Sequence, residues 1–346
     1  MTTRQKTAIA PPAFALNRRA VLGGLLGAAV APAGARAQTA EVWPQRFAHA
    51  FGETVLDRPA ARVVSLGYTS HDALLALGVV PLALRYWYGD APFGVWPWAA
   101  DLLAGAEPVV LTGESGIETV AALQPDLIIG IGSGISQAEY DVLSQVAPVL
   151  MHEADSPIYG MGWDALTRIL GRATGKADLA ETLIAQTTQA FADARARHPD
   201  WQGKTGTAAY HFSGEIGAYA AFDGRSRFLT ELGFRLTPAI EAYQGEAFYI
   251  PMSPEDLSGL EADVLLWLSG TDTDDDLAAL PMRRLLASHA QGREVFAGTL
   301  TAAAVSYGSI LSLPFALQRL ESEIALAADG DAATVVPSSA KAGLAP

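Results

Sequence analysis

The sequence predicts an α/β protein of two lobes, each with a mainly parallel sheet. Three observations carry this. Short apolar runs alternate with runs of helical period. The strand runs are apolar at nearly every position, the mark of a parallel sheet covered on both faces. And one phrase is written twice: "ETVAALQPDLIIG" from Glu118 and "EDLSGLEADVLLWL" from Glu255 align Leu123 with Leu260 and Asp126 with Asp263.

The elements follow in order. "RVVS" at Arg62 reads as a β-branched strand, and "HDALLALG" as a helix stopped by Gly78. "VVPLAL" is the next strand, "SGIETVAALQPD" a helix and turn, "LIIGI" a buried strand. "EYDVLSQVA" and "PVLMH" repeat the helix-strand pattern. From Gly162 to His198 there is no strand signal, only two helical patterns, "WDALTRILGRATG" and "ADLAETLIAQTTQAFADARARH". Alternation then resumes with "TAAYHF", "RFLTELGF", "SPEDLSGLEAD", "VLLWLS", "RRLLASHAQ", "REVFAG" and a last helix, "LSLPFALQRLESEIALA". "RFLTELG" echoes "HDALLALG": Leu229, Leu232 and Gly233 stand where Leu74, Leu77 and Gly78 stood. The tail, 328–346, offers little to bury and is expected to be disordered.

The first 37 residues read as an export leader. Arg18 and Arg19 precede an apolar run from Ala20 to Ala31, and Ala35 and Ala37 suit an A-x-A cleavage site. The arginine pair points to the twin-arginine (Tat) route. The 346-residue chain has no Cys, so the lipid-bearing cysteine of a lipoprotein is missing, and a soluble periplasmic protein is expected. The leader takes five of the 23 bases and none of the 37 acids, leaving 18 against 37 and a net charge of −19. Such a surface repels nucleic acid.

Six phrases in this order, "RVVSLGYTSHDALLALGVVPLAL", "ETVAALQPDLIIG", "LSQVAPVL", "FLTELGF", "SPEDLSGLEADVLLWL" and "SILSLPFAL", resemble the periplasmic substrate-binding proteins of ferric-siderophore, haem and vitamin B12 ABC importers. The resemblance covers residues 60 to 325. It implies the class III fold, two α/β lobes joined by one long helix. The expected boundaries are a first lobe over 38–156, a connecting helix over 157–175 and a second lobe over 176–327. It implies a monomer that captures an iron(III)-siderophore complex and delivers it to a dimeric inner-membrane permease. Haem or cobalamin is the alternative ligand, and no cofactor or protein metal site is expected. Glu118 and Glu255 match the family's permease contacts. The residues also read locally: Ser115-x-x-Glu118 is a capping box, and Ser253 with Pro254 suits a helix start.

Ligands of α/β folds bind beyond the carboxyl ends of strands. The loops there are rich in aromatics and arginine, groups suited to a bulky, often anionic chelate. The expected ligand-binding set is Tyr68, Arg85, Trp87, Tyr88, Ser133, Tyr219, Arg225, Arg227, Trp267 and Tyr307. Arg227 stands at a family position that reaches ligand in catecholate binders. Ser133 stands where some of those binders carry arginine, which leaves hydroxamate, carboxylate and mixed chelates open. Tyr307 and His71 are the candidate iron ligands if haem is bound.

Other signals point elsewhere. The six His show no metal-ligand spacing, and "TDTDDD" at Thr271 lacks the glycine and final glutamate of an EF-hand. "GIGSG" at Gly130 lacks the rest of a dinucleotide fingerprint. No nucleophile motif stands in a plausible setting, so an enzyme is the remote reading.

Overall fold

A computed structural model describes residues 42–113 and 116–346. The expected leader and the capping residue Ser115 lie outside them. A hairpin comes first, β1 (Gln45–His49) against β2 (Gly52–Leu56). The first lobe then lays down β3 (Val63–Ser65), β4 (Ala83–Arg85), β5 (Val109–Leu111), β6 (Leu127–Ile129) and β7 (Val149–Leu150). Their order is β5-β4-β3-β6-β7, every pair parallel. β3 is central and has no exposed residue, as its wholly apolar run demanded. The connections leave β3 in both directions, so a crevice opens past its carboxyl end.

The second lobe contains β8 (Thr205–Phe212), β9 (Glu215–Tyr219), β10 (Arg235–Leu236), β11 (Tyr249–Met252), β12 (Val264–Leu268) and β13 (Glu294–Ala297). Its order is β11-β9-β8-β12-β13, with β10 beside the start of β8. β8, β10, β12 and β13 run parallel, while β9 and β11 are antiparallel additions. β9 is absent from the strand runs of the sequence pattern. Its signal was "SG": Ser213 and Gly214 both have positive φ, the backbone of a two-residue hairpin turn.

The two helical patterns of the middle segment form helices at Trp163–Ala173 and Ala177–Arg197. The connection is the second of these, not 157–175. Residues 157–162 cannot open a helix, because Gly160 closes a turn on Pro157 (2.9 Å), and Gly175, at φ 68, ends the shorter one. The 21-residue helix buries Ala180 and Ile184 among Phe47, Leu127 and Leu170 of the first lobe. It buries Phe191 and Ala194 with Trp201 and Phe228 of the second. At 1.5 Å per residue it runs about 30 Å.

The tail is ordered, contrary to expectation. It forms a short helix, Pro337–Lys341, and buries Val336, Ala342 and Leu344. Ser339 Oγ donates to Glu294 O (2.6 Å), and Phe296 N donates to Ser338 Oγ (3.3 Å). The few apolar residues suffice because the serines satisfy the outer edge of β13. Among the described residues, no helix is long and apolar enough to cross a membrane.

Candidate functional site

A cavity of about 520 Å³ lies between the lobes, built from segments that follow β3, β4, β6, β7 and β9. Tyr68 follows β3 and Arg85 ends β4. The Arg85 guanidinium sits over the Tyr68 ring at 4.8 Å. It donates to Ser133 O (3.0 Å) and Gly113 O (3.1 Å), so two neighbouring loops aim its fork. Ser133 contributes through that carbonyl. Its hydroxyl donates to Gly130 O (2.6 Å) and accepts from Ile135 N (3.2 Å), and the residue is buried away from the lining.

Trp87 lines the cavity and meets Tyr68, Tyr88 and Tyr307 at ring separations of 5.9, 4.7 and 5.4 Å. Tyr307 arrives from the second lobe on the helix Thr299–Tyr307 and is 4% exposed. Rings of His71, Trp87, Tyr88, Trp96 and Trp98 surround it. Burial, then the charge of Asp72, pushes its phenol far above the ordinary value. Tyr88 is behind Trp87 rather than on the lining, and burial pushes it to about 12 despite Ser306 and Arg225.

On the second lobe, Asp223 caps the helix Gly224–Glu231 by accepting from Arg225 N (2.9 Å). The same carboxylate takes Arg225 Nη1 at 3.1 and 3.0 Å. Arg225 Nε donates to Ser306 Oγ (3.1 Å), and its guanidinium lies over Tyr219 at 4.2 Å. Arg225 is thus answered within the wall, and Tyr219 is its backing, not lining. Arg227 differs. Its guanidinium has no hydrogen bond or ion pair among the described residues, yet it lines the cavity. Glu231 feels that charge without bonding it. It accepts from Trp163 Nε1 (3.1 Å), and burial raises its carboxyl.

Trp267 is not in the site. It is 1% exposed in the second-lobe core and donates to Glu294 Oε1 (2.8 Å). Both faces of the central strand β12 are covered, so its aromatic residue has no route to the cleft. Two further loops past strand ends, at Ser269 after β12 and at Ser213 after β8, are off the lining. The sequence reading missed Tyr159, Trp163, Glu231 and Phe248, all of which line the cavity. The Pro157, Gly160 and Gly162 punctuation marked a loop there and was read as helix.

Glu118 and Glu255 are both exposed. Glu118 is in the first turn of the helix Ile117–Ala122, whose N-cap is Gly116. Glu255 is not on a helix. It occupies a turn closed by a Ser253–Asp256 bridge, and Glu255 N donates to Ser253 Oγ (3.2 Å). A single 3₁₀ turn follows, Ser258–Leu260, with Leu257 and Leu260 buried.

Two α/β lobes, a helix spanning both cores and an aromatic, arginine-bearing cavity between them define a class III periplasmic binding protein fold. The chain belongs to the periplasmic binding protein family, whose model matches residues 63–293. It is 32% identical to a probable siderophore-binding lipoprotein, YfiY, of Bacillus subtilis (strain 168), over 60% of this chain and 63% of the relative. It is 30% identical to the Fe(3+) dicitrate-binding periplasmic protein FecB of Escherichia coli (strain K12), over 38% of this chain and 45% of the relative. The chain thus spans under two thirds of these curated relatives. The structure of a periplasmic solute-binding protein from Mycobacterium smegmatis superposes with a TM-score of 0.71 at 35% identity, covering 81% of this chain and 97% of that one.

Proposed function

We propose that this protein is the solute-binding component of an ABC importer and that its ligand is an anionic iron(III)-siderophore complex. One observation carries the reading: the cavity is lined by Arg85, Arg225 and Arg227 against Asp223 and Glu231, an excess of one positive charge, with Asp223 engaging Arg225. An aromatic wall with surplus positive charge suits a bulky chelate with exposed carboxylate or catecholate oxygen. The chelator supplies every iron ligand in this reading, and the protein performs no chemistry. Relatives named for a siderophore and for iron dicitrate agree with it. Haem fits less well. Tyr307 is enclosed with its phenol held protonated, and His71 is buried off the lining. Export by the twin-arginine leader, action as a periplasmic monomer, and docking on the permease through Glu118 and Glu255 complete the reading.

The test is quenching of tryptophan fluorescence by iron-loaded and iron-free citrate, catecholate and hydroxamate chelators. Saturable quenching by an anionic iron-loaded chelate is expected. Arg227→Ala should weaken it roughly 10- to 150-fold, the loss of a charged hydrogen bond of about 1.5–3 kcal/mol. Equal affinity for neutral and anionic chelates, unchanged by that substitution, would refute the charge argument.

A further inference from the structure

The lobes meet around the cavity in two very different ways. On the buried side, Tyr307 is enclosed by first-lobe rings, and Ser309 Oγ donates to Asp72 Oδ2 at 2.5 Å. Trp98 Nε1 donates to the same oxygen at 2.8 Å. On the open side, an aromatic pair spans the lobes: Tyr159 meets Phe248 edge to face, at 6.2 Å and 78°. Tyr159 is 50% exposed, and both rings line the cavity.

Tyr159 is held from the first-lobe side. Its hydroxyl lies against Gly134, where an added Cβ would come within 2.3 Å of the oxygen and where φ is +70°. Burial, then Tyr68, raises its phenol, and Arg85 opposes them. Phe248 belongs to the other wall, 5.6 Å from the Arg225 guanidinium. Tyr159 sits on a strap of residues 157–162, with glycine at 160 and, at the N-cap of the following helix, at 162.

We propose that Tyr159 and Phe248 form the gate of the cavity: ligand enters and leaves by parting this one ring pair, and the pair sets residence time. The inference rests on the proposed binding function for its ligand, but the gate is testable without one. Trp87 lies inside the cavity, so its access to acrylamide reports the gate. The Trp87 contribution is obtained by difference against the same variants carrying Trp87→Phe. Tyr159→Ala and Phe248→Ala should each raise acrylamide quenching of Trp87. Because the chain has no Cys, Tyr159→Cys/Phe248→Cys protein can be joined by a short bis-maleimide, which should lower that quenching below wild type. Unchanged quenching in folded variants of both kinds overturns the gate. With iron(III) dicitrate as stopped-flow probe, the alanine variants should release ligand about two- to tenfold faster, the range one edge-to-face pair supports. A dicitrate release rate unaltered by either variant also overturns it. If no protein binds dicitrate, that counts against the ligand class, and the acrylamide result still decides the gate.

Discussion

Asp126 and Asp263 stand at matching points of the two lobes. Asp126 accepts from Ala61 N (3.1 Å) and Arg62 N (2.7 Å), at the start of β3. Asp263 accepts from Thr205 N (2.8 Å) and Thr205 Oγ1 (2.9 Å), at the start of β8. In each lobe the acid precedes one parallel strand and clamps the first amides of its neighbour. The glutamates eight residues earlier are unlike this. One is on a helix and one in a turn, both are exposed, and neither carboxylate has a hydrogen-bond partner among the described residues. The repeated aspartate is explained by the sheet. The repeated aspartate's task thus has no counterpart in the repeated glutamate among the described residues.

The contrast can be broken most sharply at the glutamates. Glu118→Arg with Glu255→Arg should abolish uptake of an iron chelate in cells while leaving its affinity and the thermal transition unchanged. Transport at the wild-type rate would remove the docking role. The aspartates should do the reverse. Asp126→Ala or Asp263→Ala leaves strand amides without acceptors and should cost about 1–3 kcal/mol each in urea unfolding. Asp263 should cost more, because it also takes Arg293 Nη1 at 3.1 Å.

A smaller effect tests a second likeness. Each lobe covers one sheet edge with hydroxyls from outside the sheet. Thr54 of the hairpin donates to Val149 O on β7 (2.5 Å), and Ser339 of the tail donates to Glu294 O on β13 (2.6 Å). Thr54→Val and Ser339→Ala should each cost about 1 kcal/mol, read as the shift of the urea midpoint. A loss confined to one of them would mean that the two edges are not protected alike.

These comparisons also mark what the sequence could reveal. The parallel strands were legible because covered strands must be apolar throughout, as in "LIIGI" and "VLLWLS". "TDTDDD", which lacks the marks of an EF-hand, proves to start a helix, where Asp274 accepts from Leu277 N (2.9 Å). The connecting helix was misjudged because both middle patterns are helical, and only packing shows which one reaches two cores. The site was half legible. Tyr68, Arg85, Trp87, Arg225, Arg227 and Tyr307 are on the lining, since arginine and aromatics past strand ends announce themselves. Trp267 failed for a general reason: a tryptophan in an apolar run carries no mark of which layer it fills. Arg227 already stood apart as the match to the family's ligand arginine, and the structure adds that Asp223 engages Arg225.

The lobes do not keep their cores to themselves. Ile310, from the turn before the last long helix, is buried among Phe47, Leu74 and Ile129 of the first lobe, and Trp98 of the first lobe packs on Phe315 of the second. The first lobe therefore lacks part of its interior until residue 310 has been synthesised and has returned to it. Residues made near the end of synthesis thus complete the core of the first lobe, which couples its packing to that of the second.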